Sequence, residues 1–304
     1  MRECLCAVRA TNDMKVLLTG ISGFLGHHIT KELLKSGHEV VGVDKRPIAP
    51  NHAMPSYFIQ TDVRDLGYRD LLGMDYVIHL SWRTNIPDCQ RHPKDSTAQN
   101  IGQTVSLLEV AREVGVKKFL FPSTASLYGH NPTPWKEDMP PEPIEPYSWQ
   151  KLACEQLCRM YSHTYGLPTA IFRFFQVFGE LQREDTALAA FMRFKKEGKP
   201  ITLTETTAQS SFRSGQRDFI YAGDLARAVV MVMEADTPNG EIYNVSTGET
   251  HTMQEIADAI GGLVKWIPRR EYEVERHEGD ICKLQTLGWK PSVDVIKWIK
   301  KQPI

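Results

Sequence analysis

Three glycines spaced three residues apart, directly after a short apolar run, constrain the fold of this chain more than any other feature. The run from Lys15 to Thr19 predicts a buried strand, and residues 24–35 carry apolar side chains at helical spacing. Gly20, Gly23 and Gly26 join the two. Glycine permits a tight turn and a close approach of the backbone to a phosphate, and the N–H groups at a helix start attract anions. The strand, loop and helix together predict a dinucleotide-binding unit.

Short apolar segments continue to alternate with helical ones over the first 175 residues. The further predicted strands cover residues 39–43, 57–60, 75–79, 118–121 and 169–173, and the longer helices cover residues 96–114 and 147–165. A stretch with six prolines, residues 131–146, predicts a loop. The alternation predicts an α/β fold: a doubly wound parallel (Rossmann) sheet whose ligands lie at the carboxyl ends of the strands.

After residue 175 the alternation weakens, which predicts a smaller C-terminal substrate lobe. A strand at 218–221 and a helix at 224–234 are expected to return to the main sheet. The expected division is residues 14–175 plus about 217–245 for the dinucleotide-binding domain, about 176–216 plus 246–304 for the lobe, and 1–13 for an N-terminal extension.

Composition excludes several classes of partner. A formal net charge of −1 gives no basic surface for nucleic acid, and no apolar stretch approaches the roughly 20 residues that span a bilayer. We therefore expect a cytoplasmic protein without nucleic-acid or membrane partners. Cys154 and Cys158 are four residues apart on a predicted helix, but no histidine or further cysteine completes a zinc site. Reduced structural thiols and no metal are predicted.

An acidic residue follows the second predicted strand. Asp44 lies 18 residues beyond Gly26, where a carboxylate can accept both ribose hydroxyls of NAD and repel the extra phosphate of NADP. Lys45 and Arg46 could attract that phosphate, but a carboxylate against the ribose edge is expected to dominate. The sequence therefore favours NAD; a simple turn cap is the structural alternative for Asp44.

Tyr147 and Lys151 are spaced four residues apart at the start of a predicted helix and so share one face. A phenol has a reference pKa near 10, and a neighbouring ammonium lowers it. That pairing suits general acid–base work on a hydroxyl group. A surface pair without chemistry is the alternative interpretation.

The glycine spacing resembles the short-chain dehydrogenase/reductase superfamily. Pro122-Ser-Thr-Ala-Ser-Leu-Tyr-Gly129 resembles a segment of its extended branch, the NAD-dependent epimerase/dehydratase family. Asp62-Val63, His79-Leu80-Ser81, Asn100-Ile-Gly102 and Leu287-Gly-Trp-Lys-Pro291 are similar to further family segments. The resemblance implies NAD binding by Gly20, Gly23, Phe24, Leu25, Gly26, Asp44, Arg46, Asp62, Val63, Leu80, Ser81, Asn100, Tyr147 and Lys151.

The same resemblance implies a catalytic set and a substrate side. Thr124 matches the hydroxyl that relays a proton between substrate and Tyr147, although a strand-end hydroxyl bonding the backbone would look the same. Ser123 is an expected substrate contact. Arg83 follows the fourth predicted strand, where it could contact an acidic or phosphorylated sugar, and it is equally compatible with an exposed loop arginine. Gln176, where the family has asparagine, and Arg217 are the implied ligands of a nucleotide diphosphate.

The residues after Thr124 indicate the type of reaction. Dehydratases of this family carry an acid pair there, and decarboxylating relatives carry a glutamate at the second position. This chain has Ala125 and Ser126, which cannot protonate a leaving hydroxyl. The resemblance therefore implies an NAD-dependent epimerase acting at C4 of a nucleotide sugar, similar to UDP-glucose 4-epimerases, and a homodimer formed through the helices at 96–114 and 147–165. A dehydrogenase or ketoreductase stays open as the alternative, and a non-enzymatic dinucleotide sensor is disfavoured by the Tyr147–Lys151 pair.

Overall fold

The computed structural model describes residues 14–269 and 273–303. Its strands are β1 (Lys15–Thr19), β2 (Glu39–Asp44), β3 (Tyr57–Gln60), β4 (Tyr76–His79), β5 (Lys118–Thr124), β6 (Thr169–Phe174), β7 (Gln176–Phe178), β8 (Ile201–Thr204), β9 (Gln216–Arg217), β10 (Phe219–Tyr221), β11 (Glu241–Val245), β12 (His251–Thr252), β13 (Val264–Ile267) and β14 (Arg276–His277). Its α-helices are α1 (Phe24–Lys35), α2 (Tyr68–Leu71), α3 (Ile86–Arg91), α4 (Pro93–Val114), α5 (Pro146–Tyr165), α6 (Ala187–Lys196), α7 (Ala222–Glu234), α8 (Met253–Ile260), α9 (Cys282–Thr286) and α10 (Val295–Ile299).

Seven of these strands form one parallel sheet in the order β11-β6-β5-β4-β1-β2-β3. Strands β2 and β3 follow β1 on one side, and β4, β5 and β6 lie on its other side. This is the doubly wound arrangement predicted from the sequence. The direction of winding changes between β1 and β4, and there Thr19 lies beside His79. A crevice opens at such a point, beyond the carboxyl ends of the strands.

Helices cover both faces of the sheet. Alternate residues of each strand point to opposite faces, so the buried strands place apolar side chains on both. Val16 and Leu18 of β1 belong to the core on the side of α7, whereas Leu17 belongs to the core that includes Cys158 of α5. Helix α1 packs against α7, and α4 packs against α5. The buried strands are apolar on both faces, as parallel sheets require.

Most predicted elements have the expected bounds. The predictions for β1, α1 and β3 are confirmed residue for residue, and the proline-rich stretch contains no helix before α5 begins at Pro146. Strand β5 extends three residues beyond the predicted end, so that Thr124 is its last residue. A short 3-10 helix, residues Ala125–Tyr128, follows directly.

The prediction that residues 218–221 rejoin the main sheet is wrong. β10 pairs instead with β7, and the chain returns to the large sheet through α7 and β11. The reason is local: Asp218 is buried and its carboxylate accepts hydrogen bonds from the backbone of Thr247 and Gly248. Those bonds fix the strand beside the loop after β11 rather than at a free edge of the sheet.

The remaining C-terminal elements form small sheets, β12-β9-β14 and β13-β8, around a third hydrophobic core. That core includes Phe178, Leu188, Ile256 and Trp298. The proposed domain boundaries remain a prediction, and the expected extension at residues 1–13 lies outside the described residues. Of the helices between residues 14 and 303 that the structure describes, none has the length and apolar character needed to cross a membrane.

Candidate active site

The glycine loop between β1 and α1 can exist only with glycine at two of its positions. Gly20 has a φ of +73°, and a Cβ there would lie 2.7 Å from the backbone nitrogen of Ser81. A Cβ on Gly26 would lie 2.3 Å from the carbonyl oxygen of Ile21. Gly23 occupies the N-cap position of α1 and offers no side chain to the first N–H groups of the helix. This loop has the form that accepts a phosphate at a helix start.

Asp44 ends β2 and its carboxylate is held towards the glycine loop. One oxygen accepts the backbone N–H of Ser22 at 3.1 Å, and the other accepts the backbone N–H of Arg46 at 3.0 Å. The Arg46 guanidinium also contacts the carboxylate, with its Nε at 3.3 Å. The Asp44 side chain is only 6% exposed, whereas that of Arg46 is 62% exposed. A fixed, shielded carboxylate at this point suits a ribose edge.

Asp62 and Val63 follow β3 at the neighbouring part of the same edge. Asp62 caps a short 3-10 helix, accepts the backbone N–H of Arg64 and pairs with the guanidinium of Arg64 at 2.9 Å. Hydrogen bonding from Arg64 lowers the pKa of Asp62 to about 2. Val63 is buried. The implied contact of Asp62 and Val63 with NAD remains a prediction.

A buried polar network fixes the end of β4. His79 bonds the hydroxyls of Thr19 and Thr104 through its two ring nitrogens, and burial lowers the pKa of His79 to about 3, so the ring is neutral. The N–H of Ser81 donates to Thr19, and the carbonyl of Ser81 accepts from Gln103. Leu80 and Ser81 therefore have a rigid backbone against Gly20.

Tyr147 and Lys151 occupy the first two turns of α5, as predicted. Lys151 is buried; its ammonium donates to the carbonyl of Pro122 at 2.6 Å and lies over the rings of Trp82 and Phe121. Burial lowers the pKa of Lys151 to about 7.

The pKa of the Tyr147 phenol is affected by burial and by four neighbours, Thr124, Glu145, Cys89 and Arg183. Burial raises the pKa of Tyr147 well above its ordinary value, and the Glu145 carboxylate raises it further. Hydrogen bonding with Thr124 and the charge of Arg183 act in the opposite direction. Thr124, the predicted partner, therefore lies near enough to influence the Tyr147 phenol.

A chain of hydroxyl groups leads from Thr124 to a carboxylate. The Thr124 and Ser126 hydroxyl oxygens are 2.9 Å apart, and those of Ser126 and Ser148 are 2.8 Å apart. The Ser148 hydroxyl also donates to Glu145. Glu145 is the N-cap of α5 and accepts the backbone N–H groups of Tyr147 and Ser148.

Asn100 lies inside α4 and has a structural network of its own. Its side chain accepts from the backbone N–H of Arg83 and donates to Gln150 of α5 at 2.8 Å. The Arg83 side chain pairs with Asp88 of α3. The implied roles of Asn100 at the cofactor and of Arg83 at the sugar remain predictions.

The other predicted substrate residues lie on three different segments. Ser123 precedes Thr124 on β5, and its buried hydroxyl has no hydrogen-bond partner among the residues that the structure describes. Gln176 begins β7 and is half-buried. The Arg217 guanidinium donates to the carbonyls of Gln216 and Glu275 and lies 3.6 Å from Glu273. Their substrate contacts remain predictions.

Several residues of the site escaped the sequence analysis. Glu145 and Ser148 join the network at Thr124, Arg183 acts on Tyr147 from the loop after β7, and Trp82 faces Lys151. Only Glu145 has a recognisable signal, because an acidic residue directly before a proline is typical of an N-cap followed by position N1. No group of three metal-ligating side chains occurs within residues 14–269 and 273–303.

The residues at this edge fit a dinucleotide. The loop has no space for side chains at Gly20 and Gly26, the start of α1 faces it, and a fixed carboxylate stands at the end of β2. Lys151 lies at the carboxyl-terminal part of β5, where it bonds Pro122, whereas Asp44 ends β2, and β4 and β1 lie between these two strands. This spacing allows one extended ligand to reach from Asp44 to the pair.

The chain is similar to proteins of known family. Residues 16–246 match the model of the NAD dependent epimerase/dehydratase family. A putative UDP-glucose 4-epimerase from Methanocaldococcus jannaschii is 30% identical over 303 residues, covering 94% of this chain and 96% of that protein.

Two solved structures share the whole architecture. The UDP-glucose 4-epimerase of Thermus thermophilus, in complex with NAD, superposes with a TM-score of 0.82 at 30% identity, covering 94% of this chain and 97% of that one. The UDP-glucuronic acid 4-epimerase of Bacillus cereus, in complex with UDP-glucuronic acid and NAD, gives 0.84 at 28% identity over the same shares. With its doubly wound sheet, glycine loop and Tyr147–Lys151 pair, the chain belongs to the NAD-dependent epimerase/dehydratase family.

Proposed function

We propose that this enzyme is a 4-epimerase of a hexose linked to uridine diphosphate. The main support is the set of groups at the end of β5: Thr124 and Tyr147 lie together, whereas Ala125 and Ser126 supply no acid. UDP-sugar 4-epimerases are among the proteins that this chain resembles over nearly its whole length. Inverting a secondary alcohol needs proton transfer at the hydroxyl but no departure of a group.

Each residue has a separate task in the proposed reaction. Tyr147 removes the proton of the C4 hydroxyl, directly or through Thr124, and gives it back after inversion. Lys151 holds the nicotinamide ribose and, by its charge, favours the phenolate form of Tyr147. NAD, when bound, supplies a reversible acceptor for the hydrogen on C4. The keto sugar must turn over between the two steps, so its nucleotide part has to anchor it.

A dehydratase of the same family would need an acid to protonate a departing hydroxyl. Ala125 has no proton to donate, and an unactivated serine hydroxyl is too weak an acid at neutral pH. Glu145 is the carboxylate joined to this hydrogen-bond network, and its oxygens already accept two backbone N–H groups at the start of α5. Glu145 is also separated from Thr124 by the hydroxyls of Ser126 and Ser148, so it is not placed to protonate a departing hydroxyl directly, which supports an epimerase rather than an eliminating enzyme.

Arg217 is the proposed ligand of the substrate diphosphate, because a guanidinium matches phosphate oxygens in charge and geometry. It lies on β9, which β12 and β14 flank, and Glu273 is near its Nη2. Substrate binding would therefore require Arg217 to exchange Glu273 for the diphosphate. Gln176 and Ser123 are the proposed neighbouring contacts.

The test is a screen of UDP-sugars with purified enzyme and NMR detection of the C4 proton. The expected product has the same mass as the substrate and the opposite configuration at C4, without addition of free cofactor. Tyr147→Phe removes one hydroxyl and serves as the matched control: we expect loss of turnover by at least about a hundredfold with NAD still bound. A Tyr147→Phe variant with normal turnover would exclude Tyr147 as the base.

We also propose a homodimer formed through α4 and α5. Trp149, Met160 and Tyr165 of α5 are exposed apolar or aromatic side chains in the isolated chain. Light scattering should give a molar mass twice that of the chain. The Trp149→Glu variant should give the mass of a single chain.

A further inference from the structure

Four polar side chains from three segments form a continuous line at the active site. Thr124 ends β5, Ser126 lies in the 3-10 helix that follows, and Ser148 and Glu145 lie at the start of α5. The hydroxyl oxygens are 2.9 Å and 2.8 Å apart, and Ser148 donates to the Glu145 carboxylate. Each neighbouring pair in this line is hydrogen-bonded, from the Thr124 hydroxyl to the half-exposed carboxylate of Glu145.

The hydrogen bonds of this line can all point in either of two directions, because each hydroxyl carries a single proton. Each hydroxyl has one proton, and an ionised carboxylate only accepts. The Ser148 hydroxyl is placed to donate to Ser126 and to Glu145, but its single proton can serve only one of them at a time. When an ionised Glu145 takes that proton, the relay requires Ser126 to donate to Ser148, Thr124 to donate to Ser126, and the Tyr147 phenol to donate to Thr124. When Tyr147 is a phenolate, Thr124 must donate to Tyr147, and the order reverses down to a protonated Glu145.

We propose that Thr124, Ser126 and Ser148 form a proton relay that joins the Tyr147 phenol to the Glu145 carboxylate. Ser126, Ser148 and Glu145 act through Thr124 and Tyr147, and so they are positioning residues. The inference rests on the proposed function only in assigning Tyr147 as the base. It adds an exit for the proton that the phenol must lose before it can act.

The relay step is balanced in atoms and charge. The O–H bond of Tyr147 breaks and an O–H bond forms on Glu145, while each hydroxyl between them gives one proton and receives one. No electron is transferred, and the single negative charge moves from Glu145 to Tyr147. Glu145 then loses the proton to water at the protein surface.

The other groups around Tyr147 do not offer this route. Lys151 of α5 donates to the carbonyl of Pro122 and is enclosed by the rings of Trp82 and Phe121. Cys89 of α3 is buried. Arg183, from the loop after β7, favours the phenolate by its charge, and a guanidinium has no acceptor for a proton. Glu145 has the opposite effect on the phenolate, because both would be negative.

The experiment uses the NAD-loaded enzyme without sugar, so that its result does not depend on any substrate. The phenolate absorbance of Tyr147, isolated by subtracting a Tyr147→Phe sample, gives the midpoint of ionisation. A temperature jump at that pH, in a buffer whose pH changes on heating, gives the rate at which the phenol exchanges its proton. Melting temperature and bound NAD are measured for each variant to confirm the fold.

Position 126 offers a matched pair of variants. Valine and threonine have nearly the same shape, so Ser126→Val and Ser126→Thr differ mainly in the hydroxyl group, and Ser126 itself is half-buried. We expect Ser126→Val to slow proton exchange by about tenfold or more, because the hydroxyl is lost, and Ser126→Thr to restore it. Equal rates for wild type and Ser126→Val, or equally slow rates for the two variants, would overturn the relay.

Glu145→Gln tests the end of the line. The amide oxygen can still accept the N–H groups of Tyr147 and Ser148, but it cannot take up a proton. We expect slower proton exchange together with a lower midpoint for Tyr147, because the neighbouring negative charge is removed. A lower pKa alone would make the phenol lose its proton more easily. Slower proton exchange together with a lower midpoint would therefore not follow from a purely structural role of Glu145. Proton exchange at the wild-type rate would show that the relay does not end at Glu145. An enzyme that keeps the relay but epimerises no UDP-sugar would contradict only the proposed function.

Discussion

The ammonium nitrogen of Lys151 lies 3.8 Å from the centre of the Trp82 ring. Trp82 follows β4 and Lys151 lies in α5, so the contact joins two sides of the cofactor crevice. Phe121 adds a second ring at 4.8 Å. Burial disfavours the charged form of Lys151, and the faces of the aromatic rings attract it. Two opposing effects therefore act on the charge of Lys151.

The pH dependence of cofactor binding should report the charge of Lys151. Because burial lowers the pKa of Lys151 to about 7, the ammonium is present below that pH and is lost as the pH rises through it. An amine has fewer protons to donate to the ribose hydroxyls, so NAD affinity of the cofactor-stripped enzyme should fall over this range. Calorimetry at several pH values measures it. Lys151→Met should bind NAD weakly with no such dependence; the same pH dependence in that variant would assign it to another group.

Trp82 should keep the pKa of Lys151, and with it the midpoint of the pH dependence of NAD affinity, from falling further. Trp82→Leu removes a cation–π contact worth about 1 to 2 kcal/mol when desolvated, so Lys151 should lose its proton at a lower pH. Trp82→Phe keeps an aromatic face and should shift the midpoint less. Both variants lose the indole N–H, which is buried without a partner among the described residues, so that group cannot explain a difference between them. Identical midpoints in the two variants would contradict the cation–π account.

Asp44 and Arg46 should act on cofactor choice in opposite directions. Asp44→Ala removes the carboxylate that repels the 2′-phosphate of NADP, and the ratio of NAD to NADP affinity should fall by about tenfold or more. Arg46→Ala removes a cation that would attract the same phosphate, and the ratio should rise. Competition binding measures both. Tighter binding of NADP than NAD by the unmodified enzyme would mean that Lys45 and Arg46 dominate.

The buried pair of Glu155 and Arg173 should be a major determinant of stability. The two side chains are almost fully enclosed and bond at 2.8 Å and 3.1 Å between α5 and β6. Glu155→Gln leaves the guanidinium without its counter-charge and should lower the free energy of unfolding by about 3 to 5 kcal/mol. Urea unfolding measures it against Glu32→Gln, which breaks an exposed pair with Lys35 and should cost about 0.5 kcal/mol or less. If both variants lost the same free energy of unfolding, burial of the Glu155–Arg173 pair would not explain its contribution to stability.

Local patterns allowed much of the site to be predicted from the sequence. The glycine spacing, the carboxylate of Asp44 after an apolar strand, and Tyr147 and Lys151 on one helix face each involve residues close together in the chain. Their geometry follows from the type of element that contains them. The doubly wound sheet followed in the same way from the alternation of strands and helices.

The parts that could not be predicted depend on contacts between distant segments. The line from Thr124 to Glu145 exists because the start of α5 meets the end of β5, more than twenty residues away in sequence. The ring of Trp82 over Lys151 is a contact of the same kind, and so is the carboxylate of Asp218 that holds β10 away from the large sheet. Periodicity and spacing within one element carry no information about such contacts.

The central claim, a reversible oxidation at C4 with retention of the carbon-bound hydrogen, is tested most directly with a UDP-hexose that carries deuterium at C4. The enzyme should convert it to the C4 epimer of equal mass with the deuterium still on C4, and no free reduced cofactor should accumulate. NMR gives the configuration and the label together, and mass spectrometry gives the mass. A product lighter by one water, or a stable ketone formed with an equivalent of reduced cofactor, would contradict the account.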